Sequence, residues 1–163
     1  MNSTIKKLTR DDWKVYKELR LQMLSEEPQA YSQTLEELSE RSNDEWKEKT
    51  ASNVMSILAI WIDGKLAGMN GLFYENKETV AIWGMFIRKP HRRKGLGKKL
   101  MEAIEKELKN DAAVKKLRVY ITPSQVPAWQ LYVKLGFAEV VKIPGKTRSN
   151  GEKYDEILLE KTP

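Results

Sequence analysis

Apolar residues follow two different patterns in this chain, and each pattern predicts a different secondary-structure element. Leucine or isoleucine recurs every four residues in one segment, which predicts an amphipathic helix from Gly95 to about Asn110. An unbroken apolar run predicts a buried strand over Met55–Ile62. Asp63-Gly64 is typical of a hairpin turn, so the next strand should return over Lys65–Tyr74.

The remaining segments complete a mixed α/β order. Further strands are predicted at Thr4–Leu8, Thr79–Ile87, Lys116–Ile121, Phe137–Lys142 and Lys153–Glu160. Further helices are predicted from Thr9 to about Ser25, over Thr34–Thr50 with a break near Asn43, and over Pro127–Leu135 with Gly136 as its cap. The first half is rich in hairpins and the second contains a βαβ unit. No repeat or linker interrupts the chain, so we expect residues 1–163 to form one domain.

Composition excludes several kinds of chemistry. The chain has no cysteine, which rules out disulfides and thiolate nucleophiles, and its only histidine is His91, which rules out a multi-histidine metal site. We therefore expect no metal. No apolar run approaches the roughly 20 residues of a membrane helix. The N-terminus also lacks the apolar core of a signal peptide, so we expect a cytoplasmic protein.

The positive charge is concentrated in one segment. The net charge is +6, yet the stretch from Thr79 to Met101 holds seven bases and no acid, so the rest of the chain is nearly neutral. The bases are Arg88, Lys89, Arg92, Arg93, Lys94, Lys98 and Lys99. Such a run is typical of a solvated face, a nucleic-acid surface or a pocket for a polyanion, and charge alone does not choose among them.

The same segment joins a predicted strand to a predicted helix through a glycine-containing turn, Gly95-Leu96-Gly97. The first amides of a helix have no internal partners and lie at the positive end of its dipole. Glycines let a ligand approach that backbone closely, so the turn suits a pyrophosphate. It is not a Walker A loop, and it lacks the third glycine of a dinucleotide fingerprint.

Two motifs give the chain a family resemblance. The first, Ile87-x-x-x-x-Arg92-x-x-Gly95-x-Gly97, resembles the acyl-CoA signature of the GNAT (Gcn5-related) N-acetyltransferase superfamily. The second, Ala128-x-x-Leu131-Tyr132-x-Lys134-Leu135-Gly136-Phe137, resembles that superfamily's other signature, and the two occur in the expected order. The chain departs from the pattern in having Gln125 where the family usually has Asn, and in having Pro90 one position later than the usual loop proline.

The resemblance implies a fold and a cofactor. It implies a mostly antiparallel central sheet, splayed in the middle and flanked by helices, with Gly84 as a plausible bulge. It also implies acetyl-CoA as co-substrate. Met85, Phe86 and Ile87 would contact the pantetheine and thioester. The pyrophosphate would be held by Arg92, Arg93, Lys94, Gly95, Leu96, Gly97 and Lys98, chiefly through main-chain amides. Gln125, Ala128 and Lys134 complete the cofactor residues implied by the second motif.

The resemblance also implies a reaction. Acetyl would pass from acetyl-CoA directly to a primary amine, with Tyr132 as the general acid for the departing thiolate. Tyr31 and Trp83 are candidates to line the acceptor pocket. The identity of the general base stays open. Glu75 and Glu78 precede the reacting strand and are expected to lie too far away. Glu26, Glu27, Glu36 and Glu37 flank the variable substrate region, and a water chain or an already neutral amine would also serve. Arg20 on the first helix is either a contact for an acidic acceptor or, as we expect, a surface residue.

Two alternatives remain at this stage. One is a catalytically weak GNAT-like sensor that binds acyl-CoA, and the other is a basic RNA-binding module built on residues 88–99. The basic run is not interleaved with exposed aromatic residues, which disfavours nucleic acid. The acceptor is expected to be a small-molecule or peptide amine, the chain is not expected to bind a membrane, and a monomer or a homodimer is the default state.

Overall fold

A seven-stranded sheet forms the centre of the computed structural model, which describes all 163 residues. The strands are β1 (Ser3–Lys7), β2 (Met55–Ile62), β3 (Lys65–Tyr74), β4 (Thr79–Ile87), β5 (Lys116–Ile121), β6 (Ala138–Thr147) and β7 (Lys153–Lys161). The helices are α1 (Trp13–Glu26), α2 (Leu35–Ser39), α3 (Asn43–Thr50), α4 (Leu96–Leu108) and α5 (Val126–Lys134). The predicted mixed α/β order is therefore confirmed.

The strand order across the sheet is β1-β2-β3-β4-β5-β7-β6. Every neighbouring pair is antiparallel except β4 and β5, which are parallel and are connected through α4. This gives the mostly antiparallel sheet that the sequence predicted, with the single parallel junction near its centre. No helix of the chain is long and apolar enough to cross a membrane.

Helices cover both faces of the sheet, and each face has its own core. The four-residue repeat of α4 is buried against one face, together with the inward residues of β5 and α5. On the other face α1, α2 and α3 pack over a smaller cluster that includes Leu19, Met23 and Trp46. Strand β2 serves both cores because successive side chains point to opposite faces, so that Ile57 belongs to the second core and Leu58 to the first.

The sheet splits between β4 and β5. The two strands pair only from Thr79 with Lys116 to Ile82 with Val119, and beyond that point β4 has no partner on this side. On its other side β4 carries one extra residue against β3, and Gly84 sits in that bulge with a φ of 61°. The predicted bulge at Gly84 and the predicted splay are both confirmed.

The predicted strand Phe137–Lys142 is too short. The observed β6 continues to Thr147 through Pro144 and Gly145, where its register with β7 shifts. Pro-Gly ordinarily ends a strand. Here β6 is the edge of the sheet, where proline is tolerated because no neighbouring strand needs its missing N–H.

Candidate active site

A cavity of about 630 Å³ lies where β4 and β5 separate. Its walls come from residues 81–85 of β4 and 119–121 of β5, with α5 on one side and α1 on the other. The loop around Tyr31 also contributes. The split in the sheet is thus the physical origin of the cavity, because the missing strand pairing leaves space between two otherwise adjacent strands.

Six consecutive backbone amides, those of residues 93–98, form what we call the amide cradle. None of them donates a hydrogen bond to the chain. Arg93 and Gly95 have left-handed φ angles of 59° and 73°, and such alternation with right-handed residues forms a concave nest of N–H groups. The cradle opens the 13-residue helix α4, whose first turn contains no acid. These residues can hold a diphosphate. The family resemblance assigned residues 92–98 to this role, and the amide cradle contains all of them except Arg92.

Gly97 places the amide cradle close to the cavity. A Cβ atom at this position would lie 3.0 Å from Leu131 Cδ2 and 3.8 Å from Met85 Sδ. The first turn of α4 therefore lies directly against α5 and the end of β4, and a side chain here would push them apart. The second glycine of the motif is needed for this close packing, whereas Gly95 is needed for its left-handed backbone.

Arg92 belongs to the predicted pyrophosphate site, but its side chain forms hydrogen bonds within the protein. Its Nε donates to the Ile87 carbonyl at 2.7 Å, and its Nη2 lies 3.0 Å from a Glu27 carboxylate oxygen. Its own amide donates to Lys89 at 3.3 Å. Arg92 thus fixes the path of the basic loop against α1, and the anion-facing groups begin at Arg93.

The end of β4 presents backbone groups to the cavity. Since the Arg88 amide donates to Ala67 of β3 at 2.8 Å, strand alternation turns the Ile87 amide towards the open side. The Met85 side chain lines the cavity. The Phe86 side chain points to the opposite face, where it is buried in the core beside α1. Of the predicted pantetheine contacts, Phe86 can therefore contribute only its backbone.

Tyr132 is buried, with 1% of its surface exposed, and lines the cavity from α5. Its ring packs edge-on against Phe137 at 5.4 Å between centroids. The Phe137 amide donates to the Tyr132 carbonyl at 3.0 Å, and Gly136 adopts a φ of 94° to allow this turn. Residues 132–137 of the motif therefore form a C-terminal helix cap, which fixes the position of the tyrosine ring. Burial raises the pKa of Tyr132, so its hydroxyl stays protonated.

The other residues of the second motif divide into two groups. Gln125 and Ala128 line the cavity beside Tyr132. The Gln125 side-chain oxygen accepts a hydrogen bond of 2.9 Å from the Thr122 amide, so the longer amide folds back on its own turn. Lys134 is exposed at the end of α5 and is not part of the cavity wall.

The two predicted acceptor residues, Tyr31 and Trp83, both line the cavity. The Tyr31 hydroxyl donates to the Met85 carbonyl at 3.4 Å, and burial raises its pKa. Trp83 lies between Tyr16, at 6.2 Å between ring centroids, and the guanidinium of Arg20, at 5.3 Å from its ring. The structure thus brings both to the side of the cavity that faces α1.

Sequence reasoning missed several charged residues of the cavity wall. Arg20 is not a surface residue as predicted: only 4% of it is exposed, because it follows Tyr16 by four residues on the buried face of α1. That helical spacing was the available signal. Arg41 and Lys49 join it from the segments around α2 and α3.

The carboxylates of the wall are Glu75 and Glu156. The position of Glu75 before β4 predicts that it lies too far from the reaction, but the turn after β3 brings it to the cavity. There its carboxylate lies 3.1 Å from Arg118 and 3.4 Å from the Tyr120 hydroxyl. Glu156 arrives from β7 and pairs with Lys146 of β6. The other acids considered from the sequence, Glu26, Glu27, Glu36, Glu37 and Glu78, are not in the wall. The chain has no group of three or more acidic or histidine side chains that could hold a metal ion.

Comparison with known families identifies the class of protein. The model of the acetyltransferase (GNAT) family matches residues 14–137, which is most of the chain. The chain belongs to this family, and it is therefore an enzyme of the acetyl-CoA-dependent N-acetyltransferase class. No curated protein sequence gives a match.

Solved structures show the same fold at low sequence identity. Smu.2055 from Streptococcus mutans UA159 has a TM-score of 0.79 at 22% identity, covering 98% of each chain. YncA from Salmonella typhimurium, a putative acetyltransferase solved with its cofactor acetyl-CoA, has a TM-score of 0.80 at 18% identity, covering 99% of this chain and 94% of its own. The ribosomal-protein-S18-alanine N-acetyltransferase from Escherichia coli has a TM-score of 0.73 at 19% identity, with coverage of 99% and 94%.

Proposed function

We propose that this protein transfers the acetyl group of acetyl-CoA directly to a primary amine bound in the cavity between β4 and β5. The observation that carries the proposal is the proximity of two features. The amide cradle, which suits a diphosphate, packs through Gly97 against Met85 and Leu131, and Met85 and Tyr132 share one cavity wall. A diphosphate anchor beside a buried phenol is the arrangement that this transfer needs.

Different parts of the site bind different parts of acetyl-CoA. The amide cradle holds the diphosphate, and the exposed side chains of Arg93 and Lys94 add positive charge. The open edge of β4, with the outward amide of Ile87, pairs with the pantetheine arm as an added strand would. Gln125 and Ala128 border the arm on the other side. When bound, acetyl-CoA supplies the activated thioester.

Tyr132 acts as the general acid. Its hydroxyl is protonated at neutral pH because burial raises its pKa, and it makes no hydrogen bond within the chain that would compete with the thiolate. Glu75 and Glu156 are the only carboxylates in the cavity wall, so we assign removal of the amine proton to one of them, directly or through water.

The RNA-binding alternative loses support from the contacts of the basic segment. Arg88 is bonded to Gln22 and to Glu18, and Arg92 is bonded to Glu27. Lys98 lies 3.7 Å from Glu102, and Lys99 donates to Ser3. Only Lys89, Arg93 and Lys94 remain unengaged, which is a small charged area beside the amide cradle and not an extended surface for phosphates.

The cofactor part of the proposal is tested by thermal unfolding with acetyl-CoA. Binding to the native state at about 100 times the dissociation constant raises stability by about 2.7 kcal/mol, so the melting temperature should rise clearly. Lys94→Glu places a negative charge beside the amide cradle and should weaken this shift. Lys77→Glu makes the same charge change in the exposed β3–β4 turn, at the other end of β4, and should leave it intact. No shift in the wild-type protein would refute the cofactor site.

The transfer itself is tested by an acceptor screen that measures release of the CoA thiol. The chain has no cysteine, so the thiol signal has no background from the protein. The panel should include amino acids, polyamines and peptides with free N-termini, since one structural neighbour is a ribosomal-protein N-acetyltransferase. A clear thermal shift without acetylation of any amine would favour the sensor alternative.

A further inference from the structure

Arg20 is the most unusual charged residue of the cavity. It is 4% exposed, its Nε is buried without a hydrogen-bond partner, and it forms no ion pair with any carboxylate of the chain. The groups that it contacts are uncharged. Nη1 lies 3.4 Å from Met23 Sδ, Nη2 bonds to the Gln33 side chain, the group stacks over Trp83, and the Tyr16 hydroxyl lies beside it. A buried charge without a counter-ion is costly, and burial lowers the pKa of Arg20 accordingly.

The charges around Arg20 have the same sign. Arg41 and Lys49 line the cavity as well, and neither forms an ion pair within the chain. The two acids of the cavity wall, by contrast, already have cationic partners in Arg118 and Lys146. The part of the wall that faces α1 therefore has an excess of positive charge that no group of the protein neutralises. An amine without an anionic group would be repelled there, because its own charge is also positive.

We propose that the acceptor carries a carboxylate, which Arg20 binds with help from Arg41, so that the substrates are small amino-acid-like molecules rather than polyamines. This inference rests on the proposed transferase function. A carboxylate matches the planar guanidinium fork of arginine and would supply the missing partner of Nε. Trp83 and Gln33 hold the fork in place before the ligand arrives, so little side-chain entropy is lost on binding.

The test compares each amino acid with its amide, in which a neutral carboxamide replaces the carboxylate, at a pH where the amines of both are largely protonated. We expect kcat/KM for the acids to exceed that for the amides by about 10- to 100-fold, the range of one charge-assisted hydrogen bond. Arg20→Gln should reduce this preference to about one, mainly through the KM of the acid. The KM of acetyl-CoA should stay unchanged, and Arg20→Lys should restore part of the preference.

Lys14→Gln is the matched control, since it removes the same charge from the exposed side of α1 and should retain the preference. If Arg20→Gln lowers the melting temperature too far for kinetics, Arg41→Gln should show a weaker form of the same loss.

Equal or better rates with amides or polyamines would overturn the inference while leaving the transferase function intact. If no amine is acetylated, the same acids and amides are compared as stabilisers of the CoA complex. If the acids then raise the melting temperature of the CoA complex no more than the amides do, the inference is overturned. The change in melting temperature with acetyl-CoA alone tests the proposed function separately.

Discussion

Four tyrosines line the cavity, and their hydroxyls differ in their surroundings. Tyr16 lies beside the guanidinium groups of Arg20 and Arg41. Tyr31 donates to the Met85 carbonyl, and Tyr120 lies within hydrogen-bond distance of Glu75. Tyr132 has no hydrogen-bond partner in the chain, and its ring is fixed by Phe137. Position and freedom to donate therefore both favour Tyr132 as the acid, in agreement with the motif that predicted it.

Tyr132→Phe should lower kcat by about 10²- to 10⁴-fold, the usual contribution of a positioned acid. The affinity for acetyl-CoA should stay within about twofold, and the melting temperature should barely change, because the hydroxyl has no bond within the chain to lose. Since burial raises the pKa above the ordinary 10.0, ionisation of Tyr132 should produce no loss of activity in mildly alkaline buffer. Steady-state kinetics across pH check both expectations. Tyr74→Phe, which lies outside the cavity wall, is the control, and an unaltered kcat for Tyr132→Phe would remove the residue from the chemistry.

At the scale of single residues, a local motif was enough to predict the position of a residue, whereas burial that depends on tertiary packing was not predicted. Tyr132 and the residues of the amide cradle could be located because their roles depend on local backbone geometry. The burial of Arg20 depends on Trp83 and Gln33, which come from other parts of the chain. Helical periodicity indicates which face of α1 is buried, but not that this face borders a cavity.

The bulge in β4 is the element that connects fold and site. Gly84 allows one extra residue opposite β3, and beyond this point β4 turns away from β5 and leaves its edge unpaired. The strands themselves were predicted well, with β2, β3, β4 and β5 matching the predicted bounds, because their apolar runs end at clear turn residues. Pairing order was harder to predict, since β7 inserts between β5 and β6 through contacts distant in sequence.

Gly84→Ala should weaken both folding and cofactor binding. The φ of 61° strains any residue with a Cβ atom, and that atom would lie 3.3 Å from Met69 Cε, so we expect a loss of about 1–3 kcal/mol in the free energy of unfolding. Relief of the strain would flatten the bulge, shift the open edge of β4 and raise the KM for acetyl-CoA several-fold. Urea unfolding and steady-state kinetics measure the two effects.

Gly145→Ala is the matched control for the bulge. Gly145 has a similar φ of 67°, but it is in β6 and is not itself part of the cavity wall, and nothing within 4 Å would contact the new Cβ. It should lower stability through backbone strain while leaving the KM for acetyl-CoA unchanged. If both variants raise that KM equally, the effect comes from general destabilisation and not from the bulge.

Across the whole molecule, the cavity depends on contacts between segments that are far apart in the chain. Arg148, at the β6–β7 turn, is only 7% exposed and donates to the carbonyls of Tyr31 and Gln29 at 2.8 Å each. Its guanidinium also stacks on Tyr154 at 4.3 Å. The turn near the C-terminus thereby holds the loop that carries Tyr31 over the cavity. No local pattern in the sequence predicts such a contact, because it joins residues more than 100 positions apart.

Arg148→Gln should therefore change the KM of the acceptor but not the KM of acetyl-CoA. Two buried carbonyls would lose a charged donor, at about 1.5–3 kcal/mol for each bond, so the melting temperature should fall. The Tyr31 loop would loosen and raise the KM of the acceptor, whereas the KM of acetyl-CoA should hold, because the amide cradle and β4 do not contact Arg148. Lys153→Gln, an exposed change on the same hairpin whose amine bonds only to Thr147, should alter neither constant. An equal rise in both KM values for Arg148→Gln would mean that the residue supports the fold as a whole and does not position the acceptor loop.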